Sequence, residues 1–178
     1  MKAKVSKNPY LYNLMKPISL TGFMGCGKTS AGRELARLLG VGFTDLDELI
    51  CSREGRSIPD IFRDGEKAFR EAELSALLWL LDRASGPMVI ALGGGTLTVE
   101  EARKAVLERT RCVWLRTSME TIMERLSDDG GSRPLAGDAL RLFREREPLY
   151  AMAEFVVDTG TLTPQEVALK VAGLPGLR

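Results

Sequence analysis

The sequence has 178 residues, 44% apolar and 28% charged, which is enough to bury one core and too little for a second full domain. Its 25 basic and 24 acidic residues leave a net charge of +1, so no overall field favours nucleic acid or a membrane as a partner. It contains no histidine, and Cys26, Cys51 and Cys112 lack metal-ligand spacing. This composition argues against a zinc site and against hydrolase triads built on an imidazole base.

The chain is expected to form a single cytoplasmic domain over residues 17–178. Residues 1–16 are polar and basic without a clear period, so we interpret them as a loosely ordered arm rather than a signal peptide. The longest apolar run in the middle of the chain, Ala76 to Leu81, is far too short to cross a bilayer. The cysteines are expected to be reduced thiols.

Segments typical of strands and of helices alternate along the chain. The strands are predicted at about 17–22, 42–45, 88–92, 112–115 and 155–157. The helices are predicted at about 28–39, 47–54, 57–63, 65–84, 98–109, 118–126 and 138–147, with a last one from residue 164. This alternation predicts an α/β fold, in which helices cover both faces of a five-stranded parallel sheet.

One segment fits neither period. Residues 128–137, DDGGSRPLAG, are rich in turn-forming residues and lie between two predicted helices. Loops of this length between helices often cover a functional site, so we expect a mobile lid here. Arg133 lies inside this loop, where an arginine is usually solvated but can neutralise a transferring phosphoryl group when a nucleotide is bound.

A glycine-rich motif follows the first predicted strand. Residues 22–29, GFMGCGKT, match the P-loop pattern, in which backbone N–H groups and a helix N-terminus bind phosphate. Lys28 would reach the β- and γ-phosphates, and Thr29 would offer its hydroxyl to Mg²⁺. The alternative to a P-loop is a structural glycine turn followed by a surface lysine, without a role in binding. The candidate nucleotide-binding residues here are Gly22, Gly25, Cys26, Gly27, Lys28, Thr29 and Ser30.

The candidate metal-ordering carboxylate is Asp45, at the end of the second predicted strand. Ligands of open α/β sheets bind at the edge formed by the carboxyl ends of the strands. Asp47 would face the same crevice if the extended backbone persisted, because residues two apart in a strand project to one side. In the alternative interpretation, Asp47 caps the following helix and Asp45 lies in a turn.

Three further features are expected near this edge. Gly93, Gly94 and Gly95 leave backbone without side-chain bulk, either for close approach of a small ligand or as a turn between a strand and a helix. Arg70 and Glu73 lie three residues apart on a predicted helix, where they could form a surface pair. Arg146 lies just before Pro148. Alone, none of these features identifies a substrate.

Together with the P-loop, a series of segments resembles the shikimate kinase family over about residues 17–173. The segments are FTDLDELI at 43–50, SIPDIF at 57–62, GEKAFREAE at 65–73, ALGGGT at 91–96, SRPL at 132–135 and REREPLY at 144–150. The resemblance implies a three-layer P-loop kinase fold, with ATP and Mg²⁺ as cofactors. It further implies phosphorylation of the 3-hydroxyl of shikimate, in aromatic amino-acid biosynthesis, by an enzyme expected to be a monomer.

The resemblance also implies roles for single residues. Asp45 would act on Mg²⁺, and Asp47 would bind the acceptor hydroxyl. Arg70 and Arg146 would hold the shikimate carboxylate, and the triplet 93–95 would line its pocket. Arg133 would be the lid arginine, and Arg125 matches an adenine-side position. The catalytic candidates are therefore Lys28, Asp47 and Arg133.

Two segments depart from the family pattern. Tyr150 is followed by Ala-Met-Ala-Glu-Phe, where the family often has Tyr-x-Glu-x-Ala-Asp, and residues 158–163 lack the arginine that many members carry near adenine. The alternative functions are a related kinase such as a gluconate kinase, a P-loop hydrolase, and a non-catalytic nucleotide-binding regulator. Asp47 and the two arginines favour the kinase, because neither a hydrolase nor a regulator needs an acceptor site of this kind.

Overall fold

The structure is a computed structural model, and it describes residues 16–128 and 136–177. Nearly all of the predicted N-terminal arm, residues 1–15, lies outside the described residues. So does most of the predicted lid, residues 129–135, with Arg133.

Within the described ranges, five parallel strands form one sheet, as predicted. They are β1 (Ile18–Thr21), β2 (Gly42–Asp45), β3 (Met88–Ala91), β4 (Arg111–Arg116) and β5 (Phe155–Asp158). The spatial order is β2-β3-β1-β4-β5, which places β1 at the centre of the sheet. Its apolar residues Ile18 and Leu20 are almost fully buried, as expected for a strand covered on both faces.

Helices cover both faces of the sheet. They are α1 (Lys28–Leu39), α2 (Leu46–Glu54), α3 (Ile58–Phe62), α4 (Glu66–Arg83), α5 (Glu100–Arg109), α6 (Met119–Asp128), α7 (Ala136–Tyr150) and α8 (Pro164–Ala172), with a 3₁₀ turn at Thr96–Thr98. One face carries α1 and α8, which pack against each other, and the other carries a larger core to which α2, α4 and α5 contribute. None of the helices in the described ranges is long and apolar enough to span a membrane.

The end of α7 differs from the prediction. The sequence predicts that the helix stops before Pro148, but α7 continues through it to Tyr150. Proline disfavours a helix interior because it lacks an N–H donor and crowds the preceding turn. Here tertiary contacts hold the last turn, since Tyr150 is 1% exposed and its hydroxyl donates to the carbonyl of Gly94. Packing has overridden the local preference.

The strand register brings the candidate segments to one edge of the sheet. Ala91 of β3 pairs with Leu20 of β1 on one side and with Asp45 of β2 on the other, so all three strands end at the same level. The P-loop leaves β1 here, and the triplet 93–95 follows β3. A parallel sheet binds its ligands at this carboxyl edge.

Candidate active site

The P-loop has the backbone that the glycine pattern predicts. Gly22, Gly25 and Gly27 have φ angles of 141°, 76° and 93°, in a region that side-chain-bearing residues rarely adopt. At Gly22 a Cβ atom would also come within 2.7 Å of the Leu115 carbonyl oxygen. Any larger residue at position 22 would therefore displace the loop from the end of β4.

Lys28 folds back over this loop. Its ammonium group donates to the carbonyls of Gly22 at 2.8 Å and Phe23 at 3.0 Å, and it lies 3.8 Å from the Cys26 sulfur. Cys26 itself is 2% exposed and helps to fill the space beneath the loop. The positive charge of Lys28 is thus held against the loop, where an anion bound by the backbone N–H groups would meet it.

Thr29 and Asp45 form the pair that the metal-site prediction requires. The Thr29 hydroxyl donates to one Asp45 carboxylate oxygen at 2.6 Å, and the other accepts the backbone N–H groups of Asp47 at 3.0 Å and Glu48 at 3.4 Å. Asp45 is therefore the cap of α2, and the alternative that assigned the cap to Asp47 is wrong. Two hard oxygen ligands side by side fit a magnesium ion that also binds phosphate.

Asp47 lies in the first turn of α2, so the extended backbone expected to orient it ends at Asp45. It nevertheless faces the site, because one of its carboxylate oxygens lies 3.3 Å from the point that a Cβ on Gly93 would occupy. Burial of the carboxyl group raises the pKa of Asp47, and the negative charges of Asp45 and Glu73 raise it further. Lys28 and Arg70 oppose this rise. The residue as a whole is nevertheless exposed, so solvent screens these effects and the rise is modest.

Arg70 and Glu73 pair as the helical spacing predicts, but the pair is not on the surface. A terminal nitrogen of Arg70 lies 2.6 Å from a Glu73 carboxylate oxygen, and the Glu73 side chain is only 1% exposed. The other Glu73 oxygen accepts the Thr96 hydroxyl at 2.6 Å. Sequence reasoning did not identify Glu73 as a site residue, because spacing alone does not distinguish a buried pair from an exposed one.

The glycine triplet makes room for these side chains. A Cβ on Gly93 would lie 2.6 Å from a Glu73 oxygen, and a Cβ on Gly95 would lie 2.8 Å from the central guanidinium carbon of Arg70. Both distances are shorter than real contacts of a Cβ atom. The space that we interpreted as room for a ligand is occupied, at positions 93 and 95, by the side chains that build the site.

Gly94 connects the triplet to α7. Its carbonyl accepts the Tyr150 hydroxyl and lies 3.4 Å from a terminal nitrogen of Arg146. Burial raises the pKa of Tyr150, so its hydroxyl stays protonated and remains a donor. Arg146 and Arg70 both lie near enough to Tyr150 to oppose this rise. Arg70 and Arg146, the two arginines predicted to bind a carboxylate, thus lie at the same end of the site.

Arg125, on α6, lies on the other side of the P-loop. Its guanidinium group donates to the carbonyl of Gly25 at 3.3 Å and to that of Gly160, beyond β5, at 3.0 Å. It therefore links the loop to the segment that lacks the family arginine. Ser30 is exposed in the first turn of α1. The remaining predicted site residue, Arg133, is outside the described part of the chain.

The site as a whole has three parts along one edge of the sheet: an anion-binding loop with Lys28, an acidic centre with Asp45 and Asp47, and a guanidinium pair formed by Arg70 and Arg146. Such an arrangement can bind a polyphosphate at one end and a carboxylate at the other. A hydroxyl group between them would meet a carboxylate that can accept its proton.

Comparisons with known proteins agree with this arrangement. The family model for shikimate kinase matches residues 24–173. The shikimate kinases of Thermus thermophilus and Caulobacter vibrioides are 44% and 40% identical to the chain, over 86% and 87% of it and over 86% and 79% of their own lengths. The solved shikimate kinase of Acinetobacter baumannii in complex with shikimate has a TM-score of 0.83 and 34% identity, covering 91% of this chain and 93% of that one. The chain belongs to the shikimate kinase family.

Proposed function

We propose that the protein transfers the γ-phosphoryl group of ATP to the 3-hydroxyl of shikimate, giving shikimate 3-phosphate. The observation that carries this proposal is the position of Asp47, which follows the Thr29–Asp45 pair at the P-loop and has a carboxylate oxygen 3.3 Å from the point that a Cβ on Gly93 would occupy, beside the Glu73 that holds Arg70. One carboxylate thus stands between a phosphate-binding loop and a group suited to a carboxylate. The family membership supplies the identity of the acceptor.

The nucleotide would bind along the P-loop. The backbone N–H groups of residues 22–29 and the N-terminus of α1 would hold its phosphates, and Lys28 would leave its loop carbonyls for the β- and γ-phosphates. Thr29 and Asp45 would hold Mg²⁺, which neutralises phosphate charge when it is bound. Arg125, between the loop and Gly160, would lie beside the adenine.

The acceptor would be held by its carboxylate and oriented by its hydroxyl. Arg70 and Arg146 offer planar donors that match carboxylate geometry. Asp47 would accept the proton of the 3-hydroxyl as the oxygen attacks, and a raised pKa makes this carboxylate a stronger base than a solvated one. The buried Glu73 binds one terminal nitrogen of Arg70, and so it acts as a positioning residue for the guanidinium group.

The alternative functions fit the site less well. A P-loop hydrolase or a nucleotide-binding regulator would not need the buried carboxylate of Glu73, which holds Arg70 near Asp47. A gluconate kinase would also need to bind a carboxylate, so the guanidinium pair does not exclude it. The family match favours shikimate over gluconate.

A single coupled assay tests this function. ATP consumption should require both Mg²⁺ and shikimate, and gluconate should not replace shikimate, because the phosphoryl group is expected to transfer only when a bound acceptor excludes water. The assay compares ADP formation with shikimate, with gluconate and without acceptor, each with Mg²⁺ and with a chelator. Hydrolysis at a comparable rate without acceptor would instead favour a hydrolase.

The pH dependence provides a second test. Only ionised Asp47 can accept a proton, so kcat/KM should rise with pH through the Asp47 pKa. Because burial and acidic neighbours raise that pKa above 3.8, the acidic limb should lie at higher pH than that of a solvated aspartate. A pH profile of kcat/KM checks this, with the Asp47→Asn variant as the control that should lose the limb. A limb at the position of a solvated aspartate would contradict the assignment.

Two further expectations concern the molecule as a whole. A monomeric state and a cytoplasmic location stay predictions. Size-exclusion chromatography with light scattering would test the first, and fractionation of the source cells the second.

A further inference from the structure

Arg70 has two edges that can bind a carboxylate, and they are used unequally. One terminal nitrogen, Nη1, donates to Glu73 at 2.6 Å. On the other edge, Nη2 lies 3.3 Å from Glu66, and Nε is buried without a hydrogen-bond partner among the described residues. The edge formed by Nε and Nη2 is therefore only half used.

This edge is suited to a second carboxylate. The Nε–H and Nη2–H bonds of a guanidinium group are parallel, so the two oxygens of one carboxylate can accept both. A buried donor without a partner costs free energy, and a ligand that supplies the partner recovers it. Glu66 approaches Nη2 alone and leaves Nε unpaired. A better-placed carboxylate would satisfy both donors.

The two glutamates differ in how firmly they hold Arg70. Glu73 is 1% exposed and accepts a second hydrogen bond from Thr96, so two contacts hold its carboxylate in place. Glu66 is 68% exposed and begins α4, and among the described residues Arg70 is the cation that it contacts. Exposed ion pairs at this helical spacing are weak. Glu66 should therefore leave Arg70 more easily than Glu73 does.

We propose that Glu66 tunes the affinity for the acceptor, because it occupies the half-used edge of Arg70 until the carboxylate of the acceptor displaces it. This inference rests on the proposed function, in which Arg70 binds that carboxylate. An acceptor must offer two carboxylate oxygens to Nε and Nη2 in order to gain more than the contact with Glu66 that it breaks. Breaking the contact with Glu66 uses part of the free energy of acceptor binding, so Glu66 weakens the affinity for the acceptor.

The test compares Glu66→Gln with Glu71→Gln by titrating shikimate into nucleotide-free protein and by steady-state kinetics. Glu71 is a matched control, since it lies on the same helix, is 69% exposed and pairs with Lys67 rather than Arg70. Glu66→Gln should lower the Kd and KM for shikimate by about two- to fivefold, the range expected when a weak competing ion pair is removed. The kcat and the KM for ATP should not change, and Glu71→Gln should match the wild type.

A second variant separates the contact from the charge and from folding. Glu66→Asp keeps a negative charge at the N-terminus of α4, which favours the helix, but its carboxylate is one methylene shorter and should no longer reach Nη2. It should bind shikimate more tightly than the wild type, as Glu66→Gln should. Its use keeps the test informative if the glutamine variant unfolds.

The outcomes distinguish this inference from the proposed function. Wild-type turnover of shikimate with unchanged or weaker binding in both Glu66 variants would overturn the role of Glu66 and leave the kinase function in place. A wild-type protein that neither binds nor phosphorylates shikimate would overturn both. A purely structural role would change the melting temperature without the selective fall in the KM for shikimate.

Discussion

Replacing Asp47 with asparagine should lower kcat by about 10²–10⁴, the usual contribution of a positioned acid–base group. Asparagine has nearly the same shape, but it cannot accept the proton of the acceptor hydroxyl. The KM for ATP should stay close to that of the wild type, because the P-loop and the Thr29–Asp45 pair do not depend on the Asp47 side chain. The measurement is the coupled assay at saturating ATP and shikimate.

The same substitution should not destabilise the protein. The cap of α2 is Asp45, which accepts the backbone N–H of residue 47 whatever its side chain. The folded-state pKa of Asp47 is raised, so the folded state binds this proton more tightly than the unfolded state does. Ionised Asp47 therefore opposes folding at neutral pH, and this cost disappears as the pH falls through its pKa. Asparagine removes the charge, so thermal unfolding at neutral pH should occur at or above the wild-type midpoint.

Glu48→Gln is the matched control for Asp47→Asn. Glu48 is the next residue of α2, but it forms an exposed ion pair with Arg33 of α1 and is assigned no contact with the acceptor. Its loss should leave kcat within about twofold of the wild type, as is usual for surface substitutions. If Asp47→Asn also retained turnover within a few-fold, Asp47 would bind the acceptor without taking its proton.

The sequence is sufficient to predict the architecture because the signals for it are local. Short apolar runs separated by amphipathic segments identify each strand of the sheet, and β2 and α1 have the predicted bounds. The P-loop is equally local, since its glycines and Lys28 act within eight residues. A parallel sheet then brings the end of β2 and the triplet after β3 to the same edge.

The details that the sequence did not predict depend on contacts between distant segments. Pro148 predicts a helix end, but Tyr150 holds the last turn of α7 through a carbonyl 56 residues away in the chain. The buried Glu73 likewise accepts a hydrogen bond from Thr96, which is 23 residues away. Neither contact leaves a periodic pattern. The cap of α2 was ambiguous because Asp45 and Asp47 are both good N-cap residues, and the choice depends on where the strand ends.

Replacing Arg70 with alanine should raise the KM for shikimate by about one to two orders of magnitude, since a hydrogen bond to a charged group contributes about 1.5–3 kcal/mol. Lysine should restore only part of the affinity, because it keeps the charge but loses the parallel donors. Arg146→Ala should have a similar effect. The KM for ATP should change little in each variant, because neither arginine is assigned a phosphate contact. Steady-state kinetics with each substrate varied in turn measures these constants.

Arg70→Ala also leaves Glu73 buried without its cation, so a loss of stability has to be separated from a loss of binding. Breaking a buried ion pair from one side typically costs about 3–5 kcal/mol. The double variant Arg70→Ala/Glu73→Gln removes the unpaired charge and keeps an oxygen that can accept the Thr96 hydroxyl. It should recover much of the thermal stability and retain the high KM for shikimate.

Gly95→Ala tests the position of Arg70 without removing it. The added methyl group would lie 2.8 Å from the guanidinium carbon, so the guanidinium group must move away from the triplet while its charge stays in the site. If shikimate binding depends on the planar edge of Arg70 and not only on its charge, the KM for shikimate should rise by about tenfold with an unchanged KM for ATP. A normal KM in both Gly95→Ala and Arg70→Ala would mean that Arg70 only pairs with Glu73. The carboxylate would then have to bind to Arg146 alone.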